Sequence, residues 1–222
     1  MLSDIWRQFT KRIPLLLLLL IPVLFIIGFV LLISWKTGQP VYVLFQDIFI
    51  VAQIPLYIGF VSNIGAFVWA FAIAVCAYVG VLLFNEPEQR NAAHFFLYAS
   101  FLGVFLMLDD FFMFHEIIYP RYFHVDSDII YIIYAALGIG FIIKFKKIIL
   151  KSDLTILLLS FGFFALSIFF DELREAVCLN DYWIIAEDGS KLIGIIYWLV
   201  YFSLTGKSYL QAKVTKPQTE SV

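Results

Sequence analysis

The chain has 222 residues, of which 63% are apolar, 19% aromatic and 14% charged, with a formal net charge of -2 and a mean hydropathy of +0.94. Soluble domains are about half apolar and a quarter charged, so this composition excludes a water-soluble globule and makes the lipid bilayer the first partner to expect. The slight negative charge gives no electrostatic case for nucleic acid, and Cys76 and Cys178 lack any metal-type spacing.

In chain order, residues 14–34 form an uncharged block of 21 residues. At about 1.5 Å per residue that crosses a hydrocarbon core of about 30 Å. Arg7, Lys11 and Arg12 precede it as in a signal peptide, but the block outlasts a signal's apolar core and no small-residue cleavage pattern follows. It reads as a retained first span. The next stretch, VYVLFQDIFIVAQIP at 41–55, predicts a short helix lying along the outer surface, with Gln46 and Gln53 on one face. Five further apolar runs occupy 57–84, 93–114, 128–144, 154–171 and 189–206. The expectation is an all-α bundle of about six transmembrane helices, one domain over 1–222 with a short cytoplasmic tail at 207–222.

Lysine and arginine collect in cytoplasmic loops, which tests the span count. With six spans and both termini inside, Arg7, Lys11, Arg12, Arg90, Lys144, Lys146, Lys147, Lys151, Lys207, Lys213 and Lys216 fall inside, against Lys36, Arg121, Arg174 and Lys191 outside. Were 41–55 a seventh span, every later loop would change sides and most of these cations would lie outside. Six spans in the plasma (inner) membrane is therefore the expected topology.

Under this topology the acids concentrate at the outer side. LMLDDFFMFHE, residues 106–116, places Asp109 and Asp110 near the end of the third span, followed by His115 and Glu116. Asp171, Glu172 and Glu175 end the fifth span, and Glu187 and Asp188 begin the sixth. Asp109 and Asp110 come out about 6 to 9 Å below the outer boundary. An aspartate at membrane depth costs roughly 2.5–3.5 kcal/mol and faces the bundle interior or a wet cavity. Compensation must come from a metal ion, shared protons or a cation.

At about 100° per residue, Asp171, Glu175 and Glu172 share one helix face, and Glu187, Lys191 and Asp188 repeat the pattern with Lys191 as counter-ion. His115 points about 120° from Asp109 on a continuous helix, and joins the cluster only if the helix ends or unwinds there. Oxygen ligands such as Asp109, Asp110, Glu116, Asp171, Glu172, Glu187 and Asp188 suit a divalent cation, Mg²⁺, Mn²⁺ or Ca²⁺. His115 and Glu175 are the candidate acid or base groups. An ordinary water-facing rim of acids is the competing reading. Ser62 and Asn63 are further candidates to line such a cavity, and the aromatic residues read as lipid-facing filler and interfacial belt.

HFFLYASFLGVFLMLDD, residues 94–110, is loosely similar to the His-then-Asp helix of alkaline ceramidases. Those enzymes also use a late pair of histidines as zinc ligands, and no histidine follows His124 here. The similarity does not assign the chain to that family. Three functions remain: a membrane enzyme with a lipid-like substrate and a divalent metal, a carrier or channel for cations or protons, and a non-catalytic subunit that docks a partner. The inner halves of the spans offer few polar groups beyond His94, Tyr98, Ser100 and Ser160, which favours a one-sided site over a through-path.

Overall fold

Apolar segments of membrane length must satisfy their backbone N–H and C=O groups within themselves, and a helix does so with local bonds. The computed structural model describes residues 2–177 and 183–215, and among them there is no strand. Five stretches are long and apolar enough to span a membrane: Thr10–Thr37, Phe60–Phe84, Pro87–Phe112, Asp128–Ile149 and Leu154–Leu173. The sixth expected run, 189–206, lies inside a helix but is not among the five, because Lys191 and several Ser, Gly and Tyr residues dilute it.

Packing divides the chain into two compact units, Met1–Ile58 and Gly59–Val222. In the first, α1 (Leu2–Thr37) runs through Pro14 and Pro22, and none of its described side chains is buried. The surface segment is not one helix. It forms two single turns, α2 (Val41–Phe45) and α3 (Ile48–Ala52). Gln46 is extended, and the Asp47 carboxylate accepts from the Phe49 N–H at 2.8 Å, which restarts the helix. Gln53, at φ 53, ends it in the left-handed conformation. Gln46 and Gln53 therefore lie on no common helix face, which corrects the single surface helix expected over 41–55.

The second unit holds α4 (Phe60–Phe84), α5 (Arg90–Phe112), α6 (Ser127–Ile149), α7 (Leu154–Val177) and α8 (Trp183–Thr215). Lipid is as apolar as a leucine side chain, so helices in it associate by close packing, and small residues permit the approach. A Cβ on Gly80 of α4 would stand 2.7 Å from Leu97 of α5, and one on Gly194 of α8 would stand 2.7 Å from Phe164 of α7. These are the tightly packed pairs, α4 with α5 and α7 with α8, while α4 also packs on α8. Aromatic rings fill the space between them: Phe95, Phe141, Tyr201 and Phe202 are fully buried, and Phe202 lies 4.8 Å from Trp198.

α6 is held differently. Its C-terminal half is anchored by Phe141 and Phe145, whose rings lie 5.2 and 5.4 Å from Phe95. Its other half makes few close backbone approaches, though a Cβ on Gly138 would stand 3.5 Å from the Phe161 ring of α7. A cavity inside the second unit lies beside this half of α6.

Candidate functional site

The cavity measures about 430 Å³ and draws its walls from α4 to α8, within the range of roughly 300–1,000 Å³ typical of small-molecule sites. Its two ends differ in chemistry. Trp69, Leu102, Leu137, Phe161, Phe164 and Trp198 make one part apolar, while Asp109, Asp110, His115, Tyr131, Asp171, Glu187 and Lys191 gather at the other. Asp109 and Leu102 are seven residues apart on α5, about 10 Å along the axis. The cavity therefore changes from ionic to hydrocarbon over the length of a short alkyl chain.

His115 reaches this site because α5 ends early. Met113 takes a left-handed conformation, φ 50, and closes α5 at Phe112. The chain then continues as a π-helical segment, Phe114–Phe123, which turns residue 115 back over the helix it has just left. The His115 N–H donates to Asp109 Oδ1 at 3.0 Å, and its ring Nδ1 faces Asp109 Oδ2 at 2.5 Å. Both residues are buried, Asp109 at 4% and His115 at 8% exposure. One carboxylate thus fixes both the position and the ring orientation of the histidine. The unwinding needed to bring the two together is present.

The other acids take separate partners. Lys191 donates to Asp110 Oδ1 at 3.0 Å, across from α8 to α5, and lies 3.6 Å from Asp188 on its own helix. The Tyr131 hydroxyl donates to Asp171 Oδ2 at 2.8 Å, tying α6 to α7. Glu187 is buried at the cavity wall, whereas Glu172 is exposed. The side chains of Glu116 and Glu175 lie outside the described residues, as does Cys178. Among the described residues, no three His, Cys, Asp or Glu side chains form a group able to hold a metal ion. Of the acids expected to serve a divalent cation, Asp109 pairs with a histidine, Asp110 and Asp188 with a lysine, and Asp171 with a tyrosine.

Three polar residues escape a reading of the sequence. Tyr131 and Tyr134 sit in the apolar run DIIYIIYAAL and look like interfacial filler, yet both line the cavity. The Tyr134 hydroxyl is buried near Asp109 but makes no hydrogen bond of good geometry among the described residues. Ser167 on α7 is buried and also lines the wall. The i, i+3 spacing of the two tyrosines, with polar tips on one helix face, is the signal that could have found them. Ser62 and Asn63 are not among the lining residues; α4 contributes Trp69 instead. His94 packs its ring on Phe84 at 5.9 Å.

Farther along α5 and α7 from Asp109 and Asp171, two serines are committed to structure. Ser100 donates to the Ile73 carbonyl at 3.2 Å and Ser160 to the Gly194 carbonyl at 2.8 Å. Both bonds satisfy buried hydroxyls between helices.

No curated protein and no solved structure matches the chain. A family described as "Domain of unknown function (DUF8692)" matches residues 17–205, most of the length, and the chain belongs to that family.

Proposed function

We propose that the protein is a multi-pass membrane enzyme that takes a lipid-like molecule into the cavity and acts on its polar head with the Asp109–His115 pair. The observation that carries this reading is the two-ended cavity itself: hydrocarbon walls continuous with a buried carboxylate and histidine in direct contact. Such a cavity is matched by a molecule with an alkyl tail and a polar head. A buried Asp–His pair is a common acid–base unit, because the carboxylate sets the imidazole tautomer and stabilises the imidazolium form. With Nδ1 engaged by Asp109, the ring exchanges protons through Nε2. Lys191, held by Asp110, supplies positive charge at the same end. The proposal includes six spans with both termini cytoplasmic and residues 189–206 as the last, in the plasma membrane with the polar end outward.

The engagement of Ser100 and Ser160 by backbone carbonyls supports a one-sided site over a relay through the bundle. The test is to incubate purified protein with membrane lipids, with and without Mg²⁺, Mn²⁺ or Ca²⁺, and to read lipid composition by mass spectrometry. We expect a lipid species to be consumed by the wild type and spared by His115→Gln and Asp109→Asn. Unchanged lipid under every condition contradicts an enzyme. Cation flux in sealed proteoliposomes that disappears in Asp110→Asn would make the protein a carrier.

A further inference from the structure

α6 and α7 are joined at one end by the short turn at 150–153 and tied at the other by the Tyr131–Asp171 hydrogen bond. Between those two ties the backbones make few close approaches, and a Cβ on Gly138 would stand 3.5 Å from the Phe161 ring. Several side chains that line the cavity near this gap are also exposed: Ala135, Ile139 and Ile142 on α6, and Ala165 on α7. Ile139 is 57% exposed. Lining residues with this much exposure mark an opening, and these are all apolar, with Ala135 on the α6 side and Ala165 on the α7 side.

The opening lies part-way along two helices that are each long and apolar enough to cross a membrane. It is therefore level with hydrocarbon, not with water. Polar solutes do not reach such an opening, and alkyl chains do.

We propose that the window between α6 and α7 is a lateral portal through which one alkyl chain of a bilayer lipid enters the cavity. This rests on the amphiphile-binding reading above and adds to it both the source and the route of the ligand. The chain passes between Ala135 and Ala165 and lies along Leu102 and Trp198. The Tyr131–Asp171 tie closes the window toward the polar end, so the head reaches Asp109 and His115 from beside that tie while the tail occupies the window. The substrate class is then a membrane-resident lipid, not a soluble amphiphile arriving from water.

The portal can be tested with protein reconstituted into bilayers containing a phospholipid that carries a diazirine midway along one acyl chain. After illumination, labelled peptides are mapped by mass spectrometry. Label is expected inside the cavity, at Leu102 and Trp198, as well as on the outward-facing Ile132 and Ile143. Ala135→Phe with Ala165→Phe should lower the interior label about tenfold and leave Ile132 and Ile143 labelled as before. The milder pair Ala135→Val with Ala165→Val should lower it by an intermediate amount, and serves if the larger pair does not fold. Interior label that survives both pairs overturns the portal while leaving the cavity as a lipid site reached by another route. No interior label in the wild type overturns both the portal and the amphiphile reading.

Discussion

α1 and α8 are both long helices, and they reverse the usual relation between greasiness and burial. α1 contains the most apolar of the five candidate spans, yet none of its described side chains is buried. α8 misses the apolar criterion and carries Glu187, Asp188 and Lys191, yet Ile195, Trp198, Tyr201 and Phe202 on it are 2% exposed or less. In a membrane protein, hydropathy reports contact with lipid, while the centre of the bundle can be built from small, aromatic and polar residues that pack and pair with other helices. The less apolar helix accordingly contributes Glu187 and Lys191 to the site.

Side-chain truncations on the two helices test this contrast most strongly. Phe202→Ala removes a fully buried ring in contact with Trp198 and Phe95, and an aromatic-to-alanine change in a core costs about 3–5 kcal/mol. Leu24→Ala on α1 removes an exposed side chain and should stay within about 0.5 kcal/mol. Thermal unfolding in detergent measures both; equal losses would place α1 in the core.

A smaller effect compares two lysines. Lys191 is ion-paired with Asp110 and partly buried, whereas Lys36 near the end of α1 is exposed. Lys191→Met leaves a carboxylate without its ammonium and should cost about 1–2 kcal/mol, and Asp110→Asn in the same chain should recover part of it by a double-mutant cycle. Lys36→Met should be silent. A silent Lys191→Met would show that the pair contributes nothing to holding α5 and α8 together.

Residue types and periodicity made the apolar spans legible, as well as the gathering of Asp109, Asp110, Asp171 and Glu187 at one level of the bundle. They also identified His115 as conditional on a break in its helix. The break itself was not legible, since methionine has no preference for the left-handed conformation that Met113 adopts. Tyr131 and Tyr134 were hidden because an aromatic ring in an apolar run looks the same from either face. The cavity depends on how α4 to α8 pack together, a tertiary property with no local signature. The acids were read as ligands of one ion because carboxylates at one depth invite that reading; which lysine, tyrosine or histidine each one finds is decided by neighbouring helices.

The central claim is that the cavity holds an amphiphile with its tail against Leu102, Leu106 and Trp198. It is tested most directly by native mass spectrometry of protein released gently from membranes. The account predicts that the wild type carries a bound lipid-like adduct and that Leu106→Trp, which fills the apolar part of the cavity, loses it while remaining folded. A wild type without any adduct, or an adduct retained at the same occupancy by Leu106→Trp, would contradict it.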